Sequence, residues 1–492
     1  MKIVLASSEA VPFSKTGGLA DVAAGLSKAL AASGHDVWLI TPHYPQLLPA
    51  LHCPPITPTG KMLEVQVGPK RIDGALLKSE LPGGKVTVLL VDQPGYFDRP
   101  QPYSENGSDY KDNCERFAFF SRAVLQAAEV FDLRPDIIHS NDWQTGLIPA
   151  ILEVDFRSRP GFERAAAVFT IHNLAFQGQS WHWDMLLTGL DWKYFNWRQM
   201  EFYGNLNLLK TGITFADMVT TVSPTYAREI CTPEFGWGLE GVLASRGDDL
   251  VGILNGIDAD LWNPETDPAL PRNYSIETVA DGKAACKASL QQECGLAVRG
   301  EVPLFGMISR MTDQKGFDLI RDSAESTLEQ DIQLLFLGTG EEQYEELCRE
   351  LMRRYPGRVS TTIGFDERLA HRIEAGADIY LMPSRFEPCG LNQMYSLRYG
   401  TIPIVHRVGG LADSVIDADA EHLADGTATG FCFSESTGEA FSRQISRALE
   451  TYYNKPVWTK LIRNGMRRDW SWNRSAAEYV SVYQRAERNG AR

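Results

Sequence analysis

Short apolar runs with no internal alternation, each followed by a stretch at helical spacing, limit this chain to a narrow set of folds. KIVLAS (2–7) is such a run. A strand covered on both faces of a parallel sheet has no solvent side, so its apolar residues are continuous. Leu19, Val22, Ala23, Leu26 and Leu30 then recur at helical spacing, and Gly34 supplies a C-terminal cap. DVWLITP (36–42), KVTVLLVD (85–92), DIIHSND (136–142), AVFTIHN (167–173) and DMVTTVS (217–223) read as further strands. The segment NGIDADLWNPETDPALPRNYS (255–275) breaks the rhythm. It is rich in Asn, Asp and Pro, has no periodicity, and reads as a connection. The rhythm resumes with LFGMISR (304–310), IQLLFLG (332–338), RVSTTIGF (358–365), DIYLMPS (378–384) and TIPIVH (401–406), with helical stretches such as EEQYEELCRELMRRY (341–355) between them. This pattern predicts an α/β fold of two Rossmann-like, doubly wound domains. The expected parts are a first domain over 1–258, a connection over 259–300, a second domain over 301–470 and a terminal helix over 471–492. In the last, Trp472, Ala476, Tyr479, Val480 and Tyr483 fall at helical spacing.

Composition narrows the partners. A chain of 492 residues has room for roughly two to four domains. Its net charge of −15 works against a nucleic-acid or anionic-membrane partner, which needs a basic face. An anionic ligand therefore requires cations concentrated at one site. The eight cysteines, at 53, 114, 231, 286, 294, 348, 389 and 432, form no Cys-x-x-Cys pair. That argues against a zinc site or a disulfide framework and for a reducing compartment, with the cytoplasm as the expected location. No apolar run nears the about 18 residues of a membrane span. KIVLAS is too short for a signal-peptide core, and Glu9 interrupts it soon after.

Ligands of doubly wound sheets bind beyond the carboxyl ends of the strands, so the residues just after each strand matter most. Two facing sheets would place the site in a cleft. SKTGGLADV (14–22) follows the first strand, and Gly17 and Gly18 would let a phosphate reach the backbone N–H groups at a helix start. An ordinary turn with a surface lysine fits that local pattern as well. After LFGMISR comes MTDQKGFDL, which puts Arg310 and Lys315 at the matching place in the second domain. Cations at the same point of both sheets favour an anion site, and Arg as a fork with Lys as a point charge suits a diphosphate. PSRFEPCGLNQMYSLRYG (383–400) follows another strand and carries Glu387, Cys389 and Gly390. Glu387 reads either as a site carboxylate or as an acid near a helix start. Cys389 reads as a small apolar filler unless a histidine base lies beside it. His172 and Asn173 end AVFTIHN, and Asn141, Asp142 and Trp143 end DIIHSND and begin the next turn. A lone strand-end histidine is more often structural; the position of both groups at carboxyl ends adds weight to a functional role without deciding it. VGGLADSV (408–415) is a second Gly-Gly before a helix and a further candidate ligand contact. The two Asp-Ala-Asp runs, at 258–260 and 417–419, resemble a metal-chelating D-x-D and are assigned to loops.

KTGGLADV, TIHNLAFQG (170–178), SPTYAREI (223–230), LNGID (254–258), SRMTDQKG (309–316), EPCGLNQMYSLRYG (387–400) and VGGLADSV occur in that order. Together they resemble the family of bacterial glycogen synthases and the related plant starch synthases, from Met1 to about the final helix. The resemblance implies the B architecture of glycosyltransferases, with an acceptor-side first domain, a nucleotide-sugar-binding second domain and a terminal helix that crosses back to the first. It implies retaining transfer of glucose from ADP-glucose to the non-reducing end of an α-1,4-glucan, with no cofactor and no metal. The implied catalytic residues are Glu387, His172, Arg310, Lys315 and Asp142. The implied substrate-binding residues are Lys15, Gly17, Gly18, Asp21, Asn173, Asn255, Cys389, Gly390 and Leu391. HSNDWQTGL (139–147) departs from the family's His-x-His-Asp-Trp run, with Asn141 in place of the second histidine. The alternatives are a UDP-glucose-dependent transferase of the same fold acting on a small acceptor, a glucan phosphorylase with lysine-bound pyridoxal phosphate, and a non-catalytic glucan-binding protein. Retention of Lys15, Arg310, Lys315 and Glu387 together argues against the last.

Overall fold

The computed structural model describes residues 1–48, 53–83, 85–105 and 107–490. It divides into two units, one of Met1–Gly256 with the terminal helix Trp472–Gly490, the other of Ile257–Ser471. The first unit is built on a nine-stranded sheet. In chain order its strands are β1 (Lys2–Ala6), β2 (Asp36–Pro42), β3 (Thr57–Val67), β4 (Lys70–Glu80), β5 (Thr87–Asp92), β6 (Ile137–Asn141), β7 (Ala166–Ile171), β8 (Met218–Thr221) and β9 (Leu250–Gly252). They lie in the order β9-β8-β7-β6-β1-β2-β5-β4-β3. All neighbours are parallel except the β3–β4–β5 edge, which is antiparallel.

The continuous apolar runs have the expected cause. In β1, Ile3 and Leu5 pack with Val22, Leu26 and Leu30 of the helix Gly18–Ala32 and with the terminal helix. Val4 and Ala6 pack on the other side with Phe117, Phe120 and Val124 of the helix Asn113–Val130. Both faces are dry, so neither residue parity is polar. The terminal helix is seated by three contacts within the unit. The Trp472 indole occupies the space beside Gly25, Ser475 Oγ donates to the Leu254 carbonyl at 2.6 Å, and Tyr483 Oη lies 2.9 Å from His139 Nδ1. Burial holds His139 neutral, its pKa lowered to about 3. The helix begins at Trp472, one residue after the expected start, and residues 491 and 492 lie outside the described residues.

The second unit is a six-stranded, all-parallel sheet of β10 (Leu304–Ile308), β11 (Gln333–Gly338), β12 (Val359–Ile363), β13 (Ile379–Met382), β14 (Ile402–His406) and β15 (Phe431–Phe433), in the order β12-β11-β10-β13-β14-β15. Phe305 and Met307 face one core with the helices Phe317–Leu328 and Gly438–Tyr453, whereas Leu304 faces another with Leu290 and Ile373.

Residues 259–300 differ from the connection expected of them, because they fold as part of the second unit. Trp262 is sandwiched between the rings of His371 and Tyr395, each with its centroid 3.8 Å away. Buried Asp267 accepts from Tyr399 Oη at 2.6 Å and lies 2.7 Å from His371 Nδ1. Val279–Glu293 is a helix whose Leu290 enters the core. The segment is held by one stacked ring and one buried carboxylate, neither of which leaves a periodic trace.

Glycine inside a helix costs about 1 kcal/mol relative to alanine, yet a Cβ at position 25 would overlap the Trp472 indole. Gly25→Ala is therefore expected to lower stability by about 1–3 kcal/mol, the range for overpacking a filled site. A denaturant midpoint equal to or above that of the parent would show that Trp472 repacks without loss.

Candidate active site

In the second unit the strand order reverses around β10, whose neighbours are β11 and β13. Such a switch point opens a crevice beyond the carboxyl ends of the strands. A concavity of about 180 Å³ lies there, lined from the β10 end by Ser309, Arg310 and Lys315 and from the β13 end by Ser384, Glu387 and Gly390. Lys315 Nζ and Glu387 Oε2 are 2.5 Å apart, and Ser384 Oγ donates to the same carboxylate oxygen at 2.9 Å. Glu387 is only 6% exposed. Arg310 is exposed at the mouth and makes no ion pair among the described residues. Leu391 and Asn392 add the start of the helix Asn392–Tyr399, whose N-terminal N–H groups favour an anion. Behind it, Tyr380 Oη donates to the Ile308 carbonyl at 2.8 Å and accepts from Asn392 Nδ2 at 2.6 Å, which ties the two strand ends together.

The loops that carry Lys315 and Glu387 are locked by close backbone approach. Gly316 has a φ of +78°, and a Cβ there would strike the Pro383 carbonyl. The Gly-Gly of VGGLADSV serves the same purpose rather than standing open to a ligand. Gly410 N donates to the Glu387 carbonyl at 3.1 Å, and a Cβ on Gly409 or Gly410 would overlap the backbone of 387–389. Cys389 is buried against that contact. The Asp-Ala-Asp runs serve structure as well. Asp417 pairs with Arg447 at 2.8 Å, Asp419 caps the helix Ala420–Asp425, and Asp258 accepts from the backbone of Asp260 and Leu261.

In the first unit the order reverses around β1, between β2 and β6. Lys15, Thr16, Gly17 and Gly18 are all exposed in the turn that follows. Lys15 Nζ is 2.9 Å from Asp21 Oδ1 on the next helix. A Cβ on Gly17 would meet nothing within 4 Å, so the protein's own packing does not demand glycine there. The turn is anchored by a residue the motif reading passed over. Glu9, 2% exposed, accepts from the Thr16 backbone N–H and, at 2.7 Å, from Thr16 Oγ1, while Tyr103 Oη donates to it at 2.6 Å. A carboxylate just after an apolar strand was the available signal, since a buried charge requires partners.

Asp142, His172 and Asn173 form a second group on the ends of β6 and β7. Asp142 Oδ1 accepts from the His172 backbone N–H at 2.7 Å. Its own backbone, at φ +58° and ψ 179°, occupies a region that non-glycine residues rarely adopt, and such strain collects at functional sites. Burial raises its carboxyl pKa to about 7, against the opposing backbone hydrogen bonds of His172 and Asn173. Asn141 Nδ2 donates to the Ala6 carbonyl at 3.0 Å, so its Oδ1 accepts from His172 Nε2 at 2.9 Å. Asn141 thereby sets the tautomer and leaves Nδ1 as the lone-pair nitrogen. Burial keeps the ring neutral, its pKa lowered to about 3. Trp143 packs edge-on to Phe117 with centroids 5.0 Å apart and lies over Gly178, where a Cβ would overlap its ring. Asn255, just beyond β9, is buried with its Oδ1 lacking a hydrogen-bond partner among the described residues.

Comparison with known proteins gives this geometry a family. The profile of the starch synthase catalytic domain matches residues 2–245, and that of glycosyl transferases group 1 matches 295–467. A glycogen synthase of Anaeromyxobacter dehalogenans is 47% identical over 485 residues, spanning 98% of this chain and 99% of its own. The chain belongs to the glycogen synthase family. Another member, from Rhodopirellula baltica, is 44% identical across 99% of this chain and 98% of its own. The catalytic domain of starch synthase IV from Arabidopsis thaliana, bound to ADP and acarbose, superposes with a TM-score of 0.89 at 33% identity, covering 99% of both chains. Sucrose-phosphate synthase from Thermosynechococcus elongatus, at 18% identity and a TM-score of 0.60 over 98% of both chains, shares the fold. The two units are those of a B-type glycosyltransferase, and the protein is a glucan-synthesising enzyme.

Glu9→Gln removes one acceptor from the anchor of the Lys15 turn. It is expected to raise the KM for the sugar donor by about tenfold, the scale of one lost charge-assisted hydrogen bond, with a smaller change in kcat. An unchanged KM would separate Glu9 from the site. Asp142 predicts a pH signature. Between its ordinary pKa of 3.8 and about 7 the folded state holds a proton that the unfolded chain has released, so stability falls as pH rises through that window and levels off above it. Asp142→Asn removes this titration. The melting-temperature advantage of the parent over the variant should shrink from about pH 4 to about pH 7; parallel curves would contradict the raised pKa.

Proposed function

We propose that this enzyme transfers glucose from ADP-glucose to the non-reducing end of an α-1,4-glucan with retention of configuration. The observation that carries the reading is the Lys315–Glu387 pair at the switch point of the second unit, a cation and a buried carboxylate 2.5 Å apart beside a helix start. The ADP and acarbose bound to the related starch synthase support an adenine nucleotide carrier and a glucan acceptor.

In the transfer, the bond between glucose C1 and the β-phosphate oxygen breaks and its electrons leave with ADP. The acceptor's 4-hydroxyl bonds to C1 and releases its proton to the departing phosphate. A diphosphate anion and an oxocarbenium-like sugar develop together. Lys315 and Arg310 stabilise the first, as fixed charges already in place when the anion forms. Glu387 stabilises the second. Cys389, Gly390 and Leu391 are assigned to the sugar's hydroxyls. In the first unit, Lys15, Gly17, Gly18 and Asp21 are assigned to the donor's phosphates or glucose, and Asp142, His172, Asn173 and Asn255 to the sugar and acceptor. With Nε2–H engaged by Asn141, His172 offers Nδ1 to a sugar hydroxyl. Because lysine and arginine supply the positive charge, the reaction runs without a divalent cation. Among the described residues no helix is long and apolar enough to cross a membrane, and we assign the enzyme to the cytoplasm.

Purified protein incubated with glycogen and either nucleotide sugar should release ADP from ADP-glucose far faster than UDP from UDP-glucose, equally with and without EDTA. Arg310→Ala and Lys315→Ala should each slow transfer by about a hundredfold or more. Faster UDP release, or activity abolished by EDTA and restored by magnesium, would overturn the reading.

A further inference from the structure

His406, the last residue of β14, is buried, and each of its ring nitrogens faces a backbone carbonyl. Nδ1 lies 2.9 Å from the Ser384 oxygen and Nε2 lies 3.2 Å from the Ser434 oxygen. The ring thus joins the turn after β13 to the turn after β15, whose strands flank β14 in the sheet. It also stacks on buried Phe433, with centroids 5.1 Å apart. A carbonyl oxygen only accepts. A neutral imidazole has one N–H and one lone pair, so it serves one of the two carbonyls and turns its lone pair on the other. The imidazolium carries an N–H on both nitrogens and serves both.

The Ser384 carbonyl belongs to a peptide that both site loops share. The N–H of that same peptide, from Arg385, donates to the Gln314 carbonyl at 2.9 Å, one residue before Lys315. The Ser384 side chain donates to Glu387 at 2.9 Å. One peptide unit therefore reaches the lysine loop through its N–H and the carboxylate through its side chain, and His406 grips its oxygen. Hydrogen bonds in such a chain polarise one another, and a charged donor at the head strengthens those that follow. The elements packed around the ring carry further charges. Arg385 pairs with Asp318, Glu387 with Lys315 and Glu435 with Arg443, while Arg407 and Asp413 lie on the turn and helix after β14. None of them is hydrogen-bonded to the ring nitrogens, which answer to the two carbonyl dipoles.

We propose that His406 is a positioning residue of the transfer, which holds Lys315 and Glu387 in place as a doubly protonated ring and loosens its hold when the second proton leaves. The inference rests on the reading of that pair as the charges that meet the donor, and it adds a proton to their control. His406 stands behind the concavity rather than in its lining, so it acts through the 384–385 peptide and not on the substrate. Electrostatic stabilisation depends on charges already fixed when the transition state forms. A lone pair turned on either carbonyl pushes one of the two turns away and frees the peptide between the site loops. Histidine changes charge near neutral pH, which fixes the sign. The protonated ring gives the faster enzyme, and transfer slows as the pH rises.

The test compares the full-length parent with His406→Phe, which keeps a ring against Phe433 and removes both donors. In protein labelled with ¹⁵N at its nine histidines, the ring signals that vanish in the variant belong to His406. At about pH 6, within the range where histidines change charge, both of its nitrogens should carry a proton. A lone-pair signal from either would overturn the proposal, and this reading needs no variant enzyme to be active. Turnover is then measured from about pH 6 to about pH 8 with glycogen and whichever of ADP-glucose and UDP-glucose releases nucleotide. The kcat of the variant should be about tenfold below that of the parent at the acid end, the scale of one charge-assisted hydrogen bond. The gap should narrow as the pH rises, with the KM for glycogen unchanged. A parent-to-variant ratio that is the same at every pH would make His406 a structural strut and contradict the proposal. Failure of the ADP-glucose reading is distinguishable, because it would appear as release from the other donor with the ring signals as expected.

Discussion

A lysine and a glutamate held 2.5 Å apart at the switch point of the second unit organise its candidate site. Neither charge is at ease there alone. A buried carboxylate requires partners, and Glu387 has Lys315 and the Ser384 hydroxyl. The positions follow from topology. β10 and β13 are sheet neighbours that deliver their following loops to the same place, and the chain leaves β10 for β11 on the other side. Lys315 and Glu387 lie 72 residues apart in sequence and meet because of that reversal.

The loops must also be rigid, since electrostatic catalysis depends on charges that do not reorganise. Here the rigidity comes from backbone set directly against backbone. Gly316 meets Pro383, and Gly409–Gly410 meets 387–389. In the first unit the equivalent device is a side chain, with Glu9 gripping the Thr16 backbone and hydroxyl and so fixing the Lys15 turn. The two lysines thus sit at matching switch points on differently built supports, and each pairs with a carboxylate of its own unit.

Much of this was legible in sequence. The central strands buried on both faces wrote themselves as continuous apolar runs, and the loops that follow them carried short, ordered motifs. What escaped was held by single contacts. The stack of Trp262 between His371 and Tyr395, with the Asp267 carboxylate, folds 259–300 into the second unit without any repeat of apolar residues. The β3–β4 hairpin alternates polar and apolar residues at a sheet edge, a weaker signal than a buried run. The second Gly-Gly has the pattern of a candidate ligand contact, but its backbone is pressed against 387–389, and sequence does not tell a glycine that admits a ligand from one that admits another loop. Asn141 was visible as a departure from the family's run, and only the geometry shows that its amide sets the protonated nitrogen of His172.

The central claim is that Lys315 belongs to the donor's diphosphate and Glu387 to its sugar, so that their mutual contact is exchanged for ligand contacts. Calorimetric titration with ADP, which carries the diphosphate without the glucose, tests this most directly. The account predicts that Lys315→Ala weakens ADP binding by at least about tenfold, ~1.4 kcal/mol. It also predicts that Glu387→Gln binds ADP as tightly as the parent or more tightly, because a competitor for the lysine has gone, while transfer is lost. Equal weakening of ADP binding by both substitutions would contradict it and make the pair a structural clasp.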